Sequence, residues 1–216
     1  MEMSMEDLLR SMKAEAQEEN AFYMEKYMRH QFSFLGIKTP ERRALFRGFL
    51  KSYKGDPLKD AEILYAYPHR ECKYMAIDLL VKYEKTLTPE DLERILSLAL
   101  KEPWWDTIDA LASKVLGPMA QRSSFVKEHL VELISQEDIW LKRIAILFQL
   151  SYKKDTDEAL LAFMLSKGLH TGEFFVDKAL GWALREYSKT NKVFVQEVLH
   201  TYDVSSLTRR EASKYL

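Results

Sequence analysis

The 216-residue sequence has one cysteine, seven glycines and six prolines. A single cysteine excludes a disulfide framework and fits a reducing compartment, so we expect a cytoplasmic protein. Cys72 lies in the apolar stretch ECKYMAIDLL, which favours a buried, inert thiol over a nucleophile. Because turn-rich β architectures need more glycine and proline than this, the composition favours a helical chain.

Several sequence signatures of function are also missing. No apolar run approaches the 18 residues that suggest a membrane span, and the first twenty residues lack the apolar core of a signal peptide. The five histidines form no HExxH pair, and no glycine-rich phosphate loop or GxSxG elbow occurs. We therefore expect no metal, no cofactor and no membrane partner, and a metal-dependent nuclease is disfavoured.

Charge is distributed unevenly, although the formal net charge is −1. The first twenty residues hold six acids and two cations, whereas the run from Lys38 to Lys54 holds six cations and one acid. Binding responds to a local patch more than to the sum. The basic run, with Arg42 and Arg43, is therefore a candidate for nucleic-acid contacts, and solvated helix faces are the open alternative.

Amphipathic helices are predicted along most of the chain. Apolar residues between Leu92 and Leu100 recur at i, i+3, i+4, i+7 and i+8, which is one stripe of a helix. Thr39 and Thr88 each precede a proline followed by acids, a pattern typical of helix starts, and Gly168 is a candidate helix stop.

Similar helices recur along the sequence. Their segments begin with Lys73, Asp106, Arg143, Lys178 and Arg210, at intervals of 33, 37, 35 and 32 residues, and each follows a more leucine-rich helix. Two helices per unit at this spacing are typical of an α-solenoid. We predict an all-α fold, an α–α superhelix of HEAT-like repeats, forming one domain over residues 1–216.

The second helices of such repeats line one surface. The aromatic and charged residues expected near their starts are Trp105, Asp109, Arg143, Lys178, Trp182 and Arg185. A scaffold groove needs no such lining, so these positions are candidates for chemistry and binding. Single surface ion pairs and core aromatics are the alternative for each of them.

The segment EPWWDTIDALA carries the strongest chemical signal. Trp105 and Asp109 are four residues apart and share a helix face, and Asp106 lies three residues before Asp109. An indole face and a carboxylate together suit a sugar cation. The alternative, with a tryptophan in the core and the aspartates solvated or capping the helix, stays open.

Cations and a tyrosine extend the candidate site. Arg143 and Arg185 offer bidentate forks that suit phosphate oxygens, and Trp182 lies three residues before Arg185 on one helix face. Tyr27, with Tyr23 and His30 at helical spacing, lies near the basic run that ends YMRHQFSFLGIKTPERR. Hydrophobic packing of the first helices is the alternative for these aromatics.

The segments YMRHQFSFLGIKTPERR, EPWWDTIDALA, IWLKRIAILFQLSYK and FFVDKALGWALREYSKTN, in this order and spacing, resemble the AlkD-like DNA alkylation repair family over essentially the whole chain. The resemblance implies a HEAT-like repeat glycosylase that excises N3- and N7-alkylated purines from double-stranded DNA. The chain departs from the family pattern at its end, because it stops at Leu216 where members of the family typically run somewhat further.

Roles for individual residues are carried over from the resemblance. It implies Asp109 as the catalytic aspartate, Trp105 and Trp182 as tryptophans flanking the lesion sugar, and Arg143 as a catalytically important arginine. Tyr27 and Arg185 are implied as DNA contacts.

Lys178 joins Arg42 and Arg43 among the expected DNA-binding cations, and we expect a monomer. The competing hypothesis is a non-catalytic HEAT-repeat adaptor that binds DNA or protein. Release of a methylated purine without metal or cofactor separates the two.

Overall fold

The computed structural model describes residues 3–216, and the regular secondary structure of those residues is helical. An isolated bridge joins Ser33 and His69. The chain divides into two compact units, Met1–Tyr83 and Glu84–Leu216. The prediction of an all-α repeat fold is confirmed, and the prediction of one domain stays a prediction. Within residues 3–216, no helix has both the length and the apolar character needed to cross a bilayer.

The first unit is built from the helices α1 (Met5–Ala14), α2 (Glu18–Tyr27), α3 (Thr39–Leu50), α4 (Pro57–Tyr65) and α5 (Arg70–Lys82). Helix α4 packs along α5, and α3 contacts both α1 and α5. Cys72 on α5 is buried, as predicted, and burial raises the pKa of its thiol to about 12.

The loop between α2 and α3 is fixed at both sides. The buried Glu71 carboxylate accepts hydrogen bonds from the backbone N–H groups of Leu35, Gly36 and Ile37, at 3.0, 2.9 and 3.2 Å. Gly36 has φ +82°, and a Cβ there would lie 2.1 Å from the Gln17 carbonyl oxygen. This close approach admits only glycine, so the loop is held tightly between α2 and α5.

The second unit contains α6 (Leu92–Ala99), α7 (Trp105–Leu111), a π-helical turn (Ala112–Leu116), α8 (Gly117–Arg122), α9 (Ser124–Glu132), α10 (Ile139–Leu147), α11 (Glu158–Gly168), α12 (Phe174–Ser188), α13 (Lys192–Thr201) and α14 (Ser206–Ala212). Short 3-10 turns fall at Glu84–Thr86, Pro89–Asp91, Leu133–Ser135, Lys153–Asp155 and Ser213–Tyr215.

Second helices of successive repeats stack in this unit. Helix α7 contacts α10, α10 contacts α12, and α12 contacts α14. Helices α9, α11 and α13 pack against this row. The stacked helices α7, α10, α12 and α14 correspond to the recurring segments of the sequence. They stack because the apolar stripes of consecutive repeats are buried against each other. The α-solenoid pattern of the second unit places equivalent positions of neighbouring repeats side by side.

Local details differ from the sequence patterns at several points. Thr88 forms the predicted cap, a capping box with Asp91, but Thr39 is the first residue of α3 and Lys38 precedes it without a side-chain cap. Gly168 is the last residue of α11, close to its predicted place. His30 lies beyond α2, which ends at Tyr27, and Arg29 and His30 both have positive φ, so the predicted helical spacing of His30 with Tyr27 was wrong.

Candidate active site

Asp109 lies in the middle of α7, and its carboxylate meets the guanidinium of Arg143 on α10. The Arg143 Nε donates to Oδ1 at 2.6 Å and its Nη2 donates to Oδ2 at 2.9 Å. The Asp109 side chain keeps 12% of its surface exposed, and that of Arg143 keeps 5%. This bidentate pair fixes the carboxylate plane in a largely enclosed place.

Arg143 is anchored from the other side as well. Its Nη1 donates to the backbone carbonyl of Phe175 at the start of α12. The Phe175 ring stacks in a cluster with Trp140 and Trp104, with ring centroids 4.9 and 5.0 Å away. The interpretation of Arg143 as a fork for phosphate oxygens was therefore wrong, because its fork is directed at Asp109. Trp104 belongs to this aromatic cluster.

The electrostatics of Asp109 follow from its burial. Desolvation raises the pKa of the carboxyl above its ordinary value of 3.8, the hydrogen bonds and charge of Arg143 oppose this, and the nearby Asp106 charge adds to the rise. The three side chains Asp106, Asp109 and Arg143 carry a formal charge of −1 when both acids are ionised. A cation that comes close to Asp109 is therefore attracted in a poorly solvated place.

The backbone after Asp109 leaves the regular α-helical path. A π-helical turn covers Ala112–Leu116, and the Ser113 hydroxyl donates to the Asp109 carbonyl at 2.7 Å. Single π turns within helices occur often at functional sites. Here the turn joins α7 to α8, and Ser113 satisfies a carbonyl next to the widened turn.

The two tryptophans expected to flank a lesion sugar are both half-buried. Trp105 begins α7, one helical turn before Asp109, and Trp182 lies on α12 between Lys178 and Arg185. Helix α10, which carries Arg143, contacts both α7 and α12. A sugar held between the two indoles stays a prediction.

A cluster of cations surrounds the Glu211 carboxylate on α14. Lys178 donates to Oε1 at 2.9 Å, while Arg185 and Lys214 donate to Oε2 at 2.9 and 2.7 Å. The hydrogen bond from Lys214 lowers the pKa of Glu211 to about 2. Desolvation opposes this shift, and the hydrogen bond and charge of Lys178 add to it. Three cations on one carboxylate leave a formal charge of +2 at half-exposed positions, which suits an anion.

A glycine allows this cluster to form. Gly181 lies on α12, and a Cβ there would stand 2.6 Å from the Glu211 Cβ and 2.9 Å from the Thr208 carbonyl oxygen. The backbone of α12 therefore approaches α14 closely, and Glu211 comes within reach of both Lys178 and Arg185.

The first unit holds the remaining candidates for DNA contact. The Tyr27 side chain at the end of α2 is 72% exposed, and Arg43 is exposed on α3. Arg42 differs, because it is buried, pairs with Asp78 at 2.8 Å and lies 5.2 Å from the centre of the Tyr74 ring. A guanidinium held inside the unit is a poor phosphate contact, so the expectation for Arg42 is corrected and Arg43 is kept.

Glu211 and Lys214 were missed in the sequence, although a signal for Glu211 was present. The Asp109–Arg143 pair spans 34 residues, the Lys178–Glu211 pair spans 33 and the Arg42–Asp78 pair spans 36, which is about one repeat in each case. Opposite charges about one repeat apart therefore predict an ion pair. Among residues 3–216, no group of three or more His, Cys, Asp or Glu side chains is placed to hold a metal ion.

Comparison with known proteins gives a consistent result. The model of the DNA alkylation repair enzyme family matches residues 8–216. A solved structure described as a predicted DNA alkylation repair enzyme from Enterococcus faecalis is 36% identical, with a TM-score of 0.80, and the match covers 93% of this chain and 96% of that one. No match was found among curated proteins. The chain belongs to the DNA alkylation repair enzyme family.

Proposed function

We propose that this protein is a DNA glycosylase that hydrolyses the N-glycosidic bond of cationic N3- and N7-alkylated purines in double-stranded DNA. The observation that carries the proposal is the Asp109 carboxylate, which Arg143 fixes in a poorly solvated place while 12% of the side chain stays exposed. The family supplies the context of alkylated DNA. The protein is proposed to act as a monomer without metal or cofactor.

The charge of the lesion sets the chemical demand. When the bond from C1′ to a cationic base breaks, its electron pair passes to the base nitrogen and the base leaves as a neutral molecule. The sugar becomes oxocarbenium-like, as in glycoside hydrolysis generally. Water then adds to C1′ and releases a proton to solvent. A leaving group that is already cationic needs no general acid, so one fixed carboxylate suffices.

Asp109 supplies electrostatic stabilisation in this scheme. Its charge is set in position by two hydrogen bonds before the sugar cation develops, so little reorganisation accompanies the reaction. Trp105, one turn earlier on α7, and Trp182 on α12 are proposed to hold the deoxyribose through their ring faces. Arg143 acts as a positioning residue, since it touches the carboxylate and is nearly enclosed.

Binding of the DNA backbone is assigned to cations at half-exposed or exposed positions. The cluster of Lys178, Arg185 and Lys214 around Glu211 is proposed to hold one phosphate, and Arg43 and Tyr27 are proposed as contacts from the first unit. Such contacts position the duplex and carry little sequence information. Selectivity then comes from the positive charge of the lesion and the weakness of its glycosidic bond.

The test compares Asp109→Asn with the wild type. The asparagine keeps the shape of the side chain and removes its charge, so release of 7-methylguanine is expected to fall by about 10²- to 10³-fold, the cost of losing one preorganised electrostatic group. Affinity for an undamaged duplex is expected to stay within about twofold. Single-turnover release of the base and duplex binding are the two measurements.

A second Arg–carboxylate pair of the same unit provides the control. Glu84 accepts a hydrogen bond from Arg122, and its side chain is 17% exposed. Glu84→Gln makes the same chemical change away from the candidate site and is expected to leave excision unchanged. If Asp109→Asn released 7-methylguanine at the wild-type rate while folded by thermal melting, Asp109 would be structural and the proposed mechanism would fall. A wild-type protein that releases no methylated base above the spontaneous rate would favour the adaptor hypothesis.

A further inference from the structure

The first unit contains an open cavity of about 320 Å³ beside α2 that the proposed chemistry does not use. Tyr23 and Tyr27 stand at its rim, 60% and 72% exposed. Helix α2 has no buried residue along its whole length, although it carries these aromatic side chains. Large aromatic side chains are normally used to fill a core, so two of them at the rim of an open cavity offer ring surface to a ligand.

The deeper wall of the cavity is apolar and aromatic. Met24, Met28, Phe34 and Tyr74 line it, and Phe34 and Tyr74 lie with ring centroids 6.4 Å apart. Thioethers and aromatic faces are soft, polarizable surfaces that suit a flat ring system. The volume lies near the lower end of the range for ligand sites, which fits one small planar group.

Two charged side chains, Glu71 and Arg42, form part of the same wall, and both form hydrogen bonds within the first unit. Glu71 accepts from three backbone N–H groups, and Arg42 donates to Asp78 through Nη1 while it lies over the Tyr74 ring. The cavity thus combines stacking surfaces with two charged groups that are already paired inside the unit, and it presents no bare carboxylate.

The cavity is formed in advance by the backbone around it. Gly36 presses the loop against α2, as its close approach to the Gln17 carbonyl requires. Arg29 and His30 hold φ values of 54° and 56° just after Tyr27. Such left-handed non-glycine residues cost free energy and persist where surrounding structure fixes them, often at ligand clamps. A rigid rim loses little entropy when it binds a flat ligand.

The surroundings of the rim favour an anionic partner. Exposed cations outnumber exposed acids by five to three between Glu18 and Leu50: the cations are Lys26, Arg29, Lys38, Arg43 and Arg47, and the acids are Glu18, Glu19 and Glu41. Exposed aromatics interleaved with cations are the pattern by which proteins stack unpaired bases and hold the phosphates beside them. The wall chemistry and these charges therefore agree on one ligand class.

We propose that this cavity of the first unit binds an unpaired nucleobase of DNA, stacked against Tyr23 and Tyr27. The inference rests on the proposed DNA substrate and extends it, because it assigns the first unit a role in recognising distorted duplexes. It is independent of the carboxylate chemistry of the second unit. A side chain of a partner protein is the competing occupant.

The experiment measures affinity of the full chain for two labelled duplexes that differ by one unpaired 2-aminopurine. Fluorescence anisotropy is expected to give about tenfold tighter binding of the bulged duplex, the size of one base–aromatic stack. Quenching of 2-aminopurine on binding is expected as well, since stacking causes it. Equal affinity for both duplexes would overturn the proposal and favour a protein occupant.

Variants separate stacking from other roles of the tyrosines. Tyr27→Ala and Tyr23→Ala are expected to lose most of the tenfold preference, whereas the corresponding Phe variants keep it because the ring is retained. Met24→Trp is expected to abolish the preference by filling the cavity while the rim stays intact. Phe22 on the same helix is 56% exposed and does not line the cavity, so Phe22→Ala is the matched control and keeps the preference.

The outcomes distinguish this proposal from the glycosylase proposal. A wild-type protein that excises 7-methylguanine but binds both duplexes equally would remove the cavity assignment alone. Bulge preference in a protein that releases no methylated base would keep the cavity assignment and remove the glycosylase proposal. A Met24→Trp protein that melts normally and still prefers the bulge would also overturn the cavity assignment.

Discussion

The surroundings of Asp109 have opposing effects on the pKa of its carboxyl, and the net effect is expected to appear in the pH dependence of excision. Burial raises the pKa of its carboxyl above 3.8, Arg143 opposes the rise and Asp106 adds to it. Because the ionised form is the one that stabilises a sugar cation, activity is present above the pKa of the folded protein and is lost as the pH falls through it.

The prediction is an acid limb in the single-turnover rate, centred above pH 3.8, after subtraction of spontaneous base release. Asp106→Asn removes a repelling charge, so it is expected to lower the pKa of Asp109 and move the limb to lower pH. Glu84→Gln, which alters a distant carboxylate, is expected to leave the limb in place. A limb that does not move in Asp106→Asn would argue that another group controls the profile.

Some properties of single residues could be predicted from the sequence and others could not. The spacing of Trp105 and Asp109 on one helix face was readable from the sequence, because it depends on helix geometry alone. The burial of Arg42 was not, because neighbouring cations of a basic run look alike until packing selects one of them. The pairing of Arg143 with Asp109 lies between these cases, since it follows from the repeat length once the repeats are aligned.

At the scale of helices, the sequence predicts the repeated helices better than the turns that connect them. The recurring segments match α5, α7, α10, α12 and α14 because each has an apolar stripe that must be buried. The π-helical turn after α7 has no such signal, since it depends on how α7, α8 and α10 pack together. Candidate residues on regular helices were therefore predicted, and local backbone changes around them were not.

The contact between α12 and α14 yields a prediction about stability. Gly181→Ala places a Cβ 2.6 Å from the Glu211 Cβ and 2.9 Å from a backbone carbonyl, so α14 must move. We expect a loss of about 1–3 kcal/mol in the free energy of unfolding, as for other overpacked sites. Weaker duplex binding is expected too, because Glu211 is displaced from Lys178 and Arg185. Urea unfolding and anisotropy provide the two values.

Gly48 on α3 is the matched control, because a Cβ there meets its nearest atom at 3.6 Å, an ordinary contact. Gly48→Ala is expected to stabilise the protein by about 0.5–1 kcal/mol, since alanine is the better helix former. Equal effects of the two substitutions would mean that α12 and α14 adapt without strain, and the close approach would lose its importance.

At the scale of the whole molecule, a net charge of −1 cannot attract DNA, so affinity must come from where the cations are held. Glu211 lowers the total charge, yet it gathers Lys178, Arg185 and Lys214 into one place. Each cation that neutralises a phosphate releases counterions, and the slope of log affinity against log salt counts such contacts. The cluster should therefore contribute to this slope in proportion to its cations.

Two lysines of the second unit make a direct test. The side chains of Lys214 and Lys189 are both 47% exposed and each pairs with a glutamate three residues away, but only Lys214 joins the Glu211 cluster. Lys214→Ala is expected to reduce the salt slope by about 1, and Lys189→Ala to leave it unchanged. Duplex affinity between about 50 and 200 mM salt gives both slopes. If the two substitutions reduced the slope equally, binding would follow overall charge, and the cluster around Glu211 would be an ordinary surface ion-pair network.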